Sequence, residues 1–204
     1  MIPTPTIKRL SLYFGYLRQL YLDGQSTVSS QNLADHFSLT SAQVRRDLST
    51  FGQFGKPGAG YDVEMLTWQI AEILGIDKDR KVVVVGAGNL GSALLAYRGF
   101  EVHGFNILAA FDISETKIGQ MISGKECYPI NELTPFVQKN GVEMAILSTP
   151  ENVAQTALDN IVTAGIKAVL NFAPIQLIVP KDVKLVSVDL ATKLKTLSYF
   201  LARQ

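Results

Sequence analysis

The sequence has little cysteine, no long apolar run and almost no net charge. Its 204 residues include one cysteine, Cys127, which excludes an intramolecular disulfide and predicts a reducing, cytoplasmic location. No apolar run approaches the roughly 18 residues of a membrane-spanning helix, and no signal peptide is recognisable, so no membrane association is expected. The net charge is only +1, which argues against nonspecific coating of nucleic acid but permits a local basic patch.

Side chains suited to nucleophilic or metal chemistry are also scarce. The two histidines, His36 and His103, are not placed beside a recognisable cofactor site. Cys127 has neither a base partner nor metal-ligand spacing, and we interpret it as a buried strand residue. The sequence therefore predicts no catalytic residue and no metal site, which weakens the case for an enzyme.

Charge and pattern change near residue 78. Residues 1–60 carry six basic and three acidic side chains, a balance of +3, whereas residues 61–80 carry two and five, a balance of −3. The polar cluster at 77–80 separates regions of different pattern, and we place the boundary there. The predicted organisation is an N-terminal domain over 1–78, a second domain over 79–187 and a C-terminal helix over 188–204.

The N-terminal region has the pattern of four helices. The first runs from Thr4-Pro5 to Asp23-Gly24, and the second begins at Ser29 or Ser30. The third begins at Thr40, whose hydroxyl can cap it while Gln43 reaches back in a capping box. A fourth covers about Val63 to Leu74. The predicted inward stripe of the first helix is Ile7, Leu10, Phe14, Leu17 and Tyr21.

The third helix has an exposed basic face, and a glycine-rich segment follows it at 52–61. Alone, two arginines on a helix surface are more often solvated than functional. With the short helix before it and the hairpin after it, the pattern predicts a winged helix-turn-helix that places a helix in the major groove of DNA. The predicted DNA-binding residues are Ser41, Ala42, Gln43, Arg45, Arg46, Lys56, Gly58 and Gly60.

The second region alternates strands and helices, which predicts an α/β domain with a parallel, Rossmann-type sheet. Its first strand ends in the glycine turn 86–91, a G-x-G-x-x-G pattern that enters an apolar helix. Gly86 permits a tight turn, Gly88 lets the backbone approach a pyrophosphate, and Gly91 lets the helix pack on the strand. Asp112 ends the next strand, where it can bind an adenosine ribose, and its charge favours NAD(H) over NADP(H).

Two other interpretations of the glycine turn remain open. The turn can belong to a Rossmann-like fold that binds nothing, or it can bind another nucleotide such as coenzyme A. The chain can accordingly be a redox-responsive repressor, an NAD-dependent enzyme that has no need of Arg45 and Arg46, or a ligand-independent winged-helix protein that leaves the turn unused.

These residues resemble the Rex family of redox-sensing transcriptional repressors over nearly the whole chain. The shared motifs follow one another in the family's order and spacing. They are Lys8-Arg9-Leu10, residues 41–48 with Phe51-Gly52, Gly58 to Tyr61, Gly86 to Ser92, Phe111-Asp112, Thr149-Pro150, Asn171 to Pro174 and Asp189-Leu190.

The resemblance implies a homodimer in which the C-terminal helix is exchanged between subunits, and this would occupy the leucine stripe after Asp189. It implies binding to double-stranded operator DNA at an inverted repeat and release by NADH, while the apo or NAD⁺-bound form holds the DNA. Tyr97 and Asp189 are then the switch residues. The predicted cofactor-binding residues are Gly86, Ala87, Gly88, Asn89, Leu90, Gly91, Asp112, Ile113, Thr149, Pro150 and Tyr97.

One position departs from the family pattern. Gly15 stands in the first helix where typical Rex proteins carry an arginine that is thought to pair with the aspartate of the C-terminal helix. A glycine cannot form that ion pair. The wing also has one basic residue, Lys56, where relatives often have two.

Overall fold

The computed structural model describes residues 2–55 and 59–203. The chain divides into two compact units, Met1–Lys78 and Asp79–Gln204. Lys56 and Gly58, predicted to contact DNA, lie outside the described residues. Among the helices described, none is long and apolar enough to cross a membrane.

The first unit has the element order of a winged helix. Strands β1 and β2 pair antiparallel through Thr27 with Asp62 and Val28 with Tyr61, and so close the base of the glycine-rich segment. Its elements in chain order are α1 (Thr4–Leu22), β1 (Thr27–Val28), α2 (Ser30–Phe37), α3 (Ser41–Ser49), β2 (Tyr61–Asp62) and α4 (Val63–Leu74).

Local side-chain hydrogen bonds set the starts of three of these helices. Ser29 caps α2 in a reciprocal arrangement with Asn32, and Asp62 caps α4 by accepting from the Met65 N–H. Thr40 Oγ1 accepts from the Gln43 N–H at 3.1 Å, which confirms the predicted cap of α3. The predicted return bond from the Gln43 side chain is wrong, because that amide donates to Asp47 instead.

Helix α1 buries a face rotated by one position from the predicted one. Leu10 and Leu17 are buried as expected, but Ile7 is 42% exposed and Tyr21 is 51% exposed. The spacing of apolar residues allows two adjacent stripes, and the buried one is the stripe whose hydroxyls reach Asp47. Its members are Thr6, Leu10, Tyr13, Leu17 and Leu20.

The second unit is a seven-stranded sheet with helices on both faces. Its order is β5-β6-β4-β3-β7-β8-β9, and every pair is parallel except β5 with β6. The strands are β3 (Arg80–Val85), β4 (Phe105–Asp112), β5 (Met121–Ile122), β6 (Lys125–Pro129), β7 (Met144–Leu147), β8 (Ala168–Asn171) and β9 (Lys184–Ser187). The helices are α5 (Asn89–Ala96), α6 (Gly99–Val102), α7 (Leu133–Asn140), α8 (Ala154–Thr163) and α9 (Leu190–Leu201).

Two apolar clusters bury the two faces of the sheet. Val83 and Val85 of β3 face α7 and α8, whereas Val82 and Val84 face the side covered by α5. Burial on both faces explains why β3 is a continuous run of valines rather than an alternating strand. From β6 onwards the strand order is that of a doubly wound dinucleotide-binding fold, which turns back at β3 and β7.

The described part of the chain leaves the apolar side of helix α9 exposed. Asp189 caps it by accepting from the Thr192 N–H at 2.9 Å. None of its residues is buried. The exposed apolar residues are Leu190, Leu194, Leu197, Tyr199, Phe200 and Leu201.

Candidate dinucleotide and nucleic-acid sites

A cavity of about 440 Å³ lies at the carboxyl ends of β3, β4 and β7. This is the edge at which open α/β sheets bind their ligands, because the loops there separate to opposite faces of the sheet. Its described lining is Val85, Gly86, Gly88, Phe111, Asp112, Ile113, Lys117, Ile130, Ser148, Thr149, Pro150, Asn152, Val153, Thr156, Ala157 and Asn160.

The three glycines of the turn, Gly86, Gly88 and Gly91, have different surroundings. Gly86 has φ +97°, and a Cβ there would lie 2.8 Å from the Ser148 backbone. A Cβ on Gly91 would lie 1.9 Å from the Gly86 carbonyl oxygen, so this position allows α5 to pack against the turn. A Cβ on Gly88 would meet nothing within 4 Å.

The N-terminus of α5 offers donors to an anion. Gly88 is the N-cap residue and supplies no side-chain capping bond. The first N–H groups of a helix have no partner within it, and the helix dipole favours negative charge at this end. A pyrophosphate placed at the turn would therefore meet free donors.

Asp112 ends β4 and is bound tightly to the glycine turn. Its Oδ2 accepts from the Ala87 N–H at 2.7 Å, and its Oδ1 accepts from the N–H groups of Ile113 at 2.8 Å and Ser114 at 2.9 Å. Burial opposes ionisation, but the bonds from Ser114, Ala87 and Lys117 outweigh it and lower the pKa of the carboxyl. The group is charged at neutral pH.

Six of the predicted cofactor residues line the cavity: Gly86, Gly88, Asp112, Ile113, Thr149 and Pro150. Ala87, Asn89, Leu90 and Gly91 lie in the turn and α5 but are not part of the lining. Lys117 was not predicted as a site residue, and its only signal in the sequence is its spacing of five residues from Asp112. The remaining lining residues carry no pattern that would single them out.

Tyr97 lies outside the cavity lining, at the C-terminal end of α5. Its side chain is 59% exposed, and its ring packs edge-on against Phe100 at 5.1 Å between centroids. The ring covers Gly99, where a Cβ would lie 2.3 Å from Tyr97 Cζ. The role of Tyr97 at a cofactor stays a prediction.

Cys127 is fully buried in β6, and burial raises the pKa of its thiol, so it is not poised as a nucleophile. His36 stacks on Tyr16 with 3.7 Å between ring centroids, a packing role. In the described part of the chain, no cluster of acidic, histidine and cysteine side chains could hold a metal ion.

Helix α3 has an exposed polar face. Ala42, Arg45 and Arg46 are exposed, and Ser41 is partly exposed. Arg45 donates to Ser30 Oγ of α2 at 3.0 Å, which extends its guanidinium across the helix-turn-helix. Gly60 lies at the base of the wing with φ +77°, where a Cβ would lie 2.9 Å from the Val28 carbonyl oxygen. Packing therefore accounts for this glycine.

A buried carboxylate that was not predicted as a site residue joins α3 to α1. Asp47 is 2% exposed and receives Arg9 through two bonds, Nε to Oδ2 at 2.6 Å and Nη2 to Oδ1 at 2.7 Å. Tyr13 Oη and Gln43 Nε2 each donate to it at 2.9 Å. The signal was available, because Asp47 falls on the apolar stripe of α3 with Val44 and Leu48.

These bonds hold the Gln43 amide against Asp47, and the role of Gln43 in DNA binding stays a prediction. The same bonds decide the charge of the carboxylate. Burial acts to raise the pKa of Asp47, but hydrogen bonds from Arg9, Tyr13 and Gln43 lower it below its usual range.

The fold and the two sites define a protein that joins a winged helix to a nucleotide-binding α/β unit. Residues 1–49 match the family described as "Putative DNA-binding protein N-terminus", and residues 77–175 match "CoA binding domain". The redox-sensing transcriptional repressor Rex of Carboxydothermus hydrogenoformans is 48% identical over 99% of this chain and 97% of its own. That of Desulforamulus reducens is 45% identical over 98% and 96%. The chain belongs to the Rex family of redox-sensing transcriptional repressors.

Solved structures agree with this family assignment. A crystal structure of RSP in complex with β-NAD⁺ and operator DNA has a TM-score of 0.94 and 39% identity, covering all of this chain and 94% of that one. A second, of RSP with β-NADH, has a TM-score of 0.89 and 38% identity, with coverage of 100% and 95%. The close relatives are named as repressors, which answers the question of enzyme or regulator in favour of the regulator.

Proposed function

We propose that this protein is a cytoplasmic redox-sensing repressor that binds inverted-repeat operator DNA and is released from it by NADH. The observation that carries the proposal is the charged Asp112 carboxylate fixed beside the glycine turn in a chain that also presents Arg45 and Arg46 on an exposed helix. A dinucleotide site and a DNA-reading face in one chain are what a sensor requires.

The dinucleotide would lie along the carboxyl edge of the sheet. Its pyrophosphate would meet the N-terminus of α5 at Gly88, and the adenosine ribose would bind Asp112. The apolar side chains beyond Asp112, including Ile113, Ile130 and Val153, offer a surface for the adenine. Asp112 disfavours a 2′-phosphate by charge repulsion, which supports NADH and NAD⁺ as the cofactors.

The DNA would be read by α3 in the major groove and by the wing beside it. Arg45 and Arg46 can bind guanine edges or phosphates, and Ser41 lies one turn before Arg45 on the same face. An inverted repeat requires two such helices related by a two-fold axis, so we propose a homodimer. The exposed leucines of α9 supply an apolar surface for that contact.

Asp189 and Tyr97 would couple the two sites. Both side chains are exposed, and Asp189 begins the helix proposed to cross to the partner subunit. At Gly15 a Cβ would meet nothing within 4 Å. We therefore expect Gly15→Arg to be accommodated in α1 and to strengthen the effect of NAD⁺ on DNA binding.

The deciding experiment is fluorescence anisotropy of a labelled AT-rich inverted-repeat duplex with TTGTGA-like half-sites, titrated with NADH or NAD⁺ at fixed salt. We expect release by NADH and not by NAD⁺. Coenzyme A serves as the control nucleotide. DNA binding that is indifferent to all three ligands would refute the sensor, and absence of DNA binding would refute the repressor.

Asp112→Ala separates the two sites. The substitution should weaken NADH binding about tenfold or more, because a charged hydrogen-bond acceptor is lost, and it should leave DNA binding by the apo protein unchanged. Isothermal titration with NADH and anisotropy with DNA check the two halves. Equal loss of both activities would show that the residue supports the fold and not the cofactor.

A further inference from the structure

Lys117 lies beside Asp112 at the cavity. Its Nζ is 3.3 Å from Asp112 Oδ2, and it donates a hydrogen bond to that atom. Of the described residues that line the cavity, Asp112 and Lys117 are the two that carry charge. The Asp112 side chain is 10% exposed and that of Lys117 is 35% exposed, so the lysine is the partner with access to solvent and room to move.

The acceptor capacity of Asp112 is already filled. Each carboxylate oxygen accepts about two hydrogen bonds. Oδ1 holds the Ile113 and Ser114 N–H groups, and Oδ2 holds the Ala87 N–H and the Lys117 ammonium. Three of the four donors are backbone groups that form the turn. A ribose hydroxyl that binds Asp112 must therefore displace or share the place of Lys117, whose bond is also the longest.

This geometry puts the ammonium group next to the ribose. A hydroxyl bonded to Oδ2 would lie within about 6 Å of Lys117 Nζ, which is inside the reach of a flexible lysine side chain. A phosphate on that hydroxyl would meet Lys117 as an attractive charge and Asp112 as a repulsive one.

We propose that Lys117 is a second determinant of cofactor choice. Its ammonium group is a ligand for a 2′-phosphate in the adenosine pocket, and the Asp112 carboxylate neutralises that ammonium group. The proposal rests on the proposed dinucleotide site. With Asp112 present, the pair is neutral and the 2′-phosphate gains little. With the carboxylate removed, the ammonium is free to bind the phosphate of NADPH.

The experiment measures the dissociation constants of NADH and NADPH by titration calorimetry for the full-length wild type, Asp112→Ser, Lys117→Met and the double variant. In Asp112→Ser we expect the preference for NADH over NADPH to fall at least tenfold. In the double variant the increase in NADPH affinity caused by Asp112→Ser should be lost. In Asp112→Ser, where Lys117 has lost its carboxylate partner, raising the salt concentration should weaken the binding of NADPH more than the binding of NADH.

Lys117→Met alone leaves the turn intact and tests the proposal if Asp112→Ser does not fold. We expect it to weaken NADPH more than NADH. The matched control is Lys125→Met, which removes another ion-paired lysine of the same unit outside the cavity lining and should leave the preference unchanged.

Three results would overturn the proposal. NADPH affinity in Asp112→Ser that does not depend on Lys117 would assign the phosphate to another group. An unchanged preference in Lys117→Met would show that the lysine has no part in the choice. Failure of the folded wild type to bind NADH would refute the proposed function, and the role of Lys117 with it.

Discussion

Asp47 shows how one side chain can fix the position of a recognition helix. Four side chains donate to its carboxylate within 3.5 Å: Thr6, Arg9 and Tyr13 of α1 and Gln43 of α3. A buried carboxylate without such donors would be costly, and here every one of its lone pairs is used. The bonds tie α3, and with it Arg45 and Arg46, to the longest helix of the unit.

We expect Asp47→Asn to lower the free energy of unfolding by about 2–3 kcal/mol, because it leaves Arg9 without its charged partner in a mostly buried place. Urea denaturation followed by circular dichroism checks the value. Asp182→Asn is the matched control, since Asp182 pairs with Lys167 on an exposed surface and its loss should leave the unfolding midpoint unchanged. A similar small effect at both positions would contradict the argument.

The same residue makes stability depend on pH. Because the pKa of Asp47 is lower in the folded chain than in the unfolded chain, its contribution is complete above the unfolded pKa of about 4 and is lost as pH falls through the folded pKa. Between pH 5 and pH 3 we expect the stability of Asp47→Asn to fall less steeply than that of the wild type. Parallel curves would assign the acid sensitivity to other carboxylates.

Helix α1 contains a glycine that its conformation does not require. Gly15 lies at an exposed position inside a 19-residue helix, has no positive φ and has open space around it. Gly24, after the end of the same helix, has φ +76° and ends it in the left-handed conformation. The two glycines therefore have opposite energetic roles.

We expect Gly15→Ala to stabilise the protein by about 0.5–1 kcal/mol through the higher helix propensity of alanine. Gly24→Ala should destabilise it, because its backbone would be strained. Thermal unfolding of both variants tests the contrast. A loss at Gly15 would show that the open space there is filled by a contact within the assembly, and a gain at Gly24 would contradict the backbone strain assigned to it.

Two substitutions in the glycine turn before α5 should distinguish an effect on folding from an effect on NADH binding. Gly88→Ala adds a methyl group into open space and should leave thermal stability unchanged while weakening NADH at least tenfold, since the methyl occupies the place of the pyrophosphate. Gly91→Ala should lower both the thermal stability and the affinity for NADH, because its Cβ would overlap the Gly86 carbonyl. Differential scanning fluorimetry with and without NADH distinguishes them. Normal NADH binding by Gly88→Ala would place the pyrophosphate elsewhere.

Assembly of two copies depends on α9 in the proposed repressor. The exposed fractions of Leu194 and Leu197 are 67% and 59%. Leaving apolar side chains on one side of a helix in contact with water is unfavourable unless a partner covers them. A two-fold contact would bury both copies at once.

We expect Leu194→Asp combined with Leu197→Asp to convert the dimer to monomer and to reduce operator affinity at least tenfold, because each half-site would then be bound singly. Sedimentation equilibrium measures the association. Thr196→Asp, which lies off the leucine stripe of α9, is the control and should leave the dimer intact. A dimer that survives the double substitution would place the interface on another surface.

The local parts of this protein follow directly from the order of its residues. The helix cap at Thr40, the glycine turn and the acidic end of β4 depend on residues close together in the chain, so short patterns predict them. The valine run of β3 indicates burial on both faces for the same reason. The Rex resemblance adds the pairing of the two sites, because it depends on motifs spread along the chain.

Contacts between distant residues decided the rest. Tyr13 and not Phe14 is buried in α1 because Asp47, 34 positions later, accepts its hydroxyl. Strands β5, β6 and β9 contain only two, five and four residues, and pairing with their neighbours defines them. Lys117 acquires its place in the cavity through the turn that follows Asp112. Each of these depends on the free energy of a tertiary contact, which no local pattern contains.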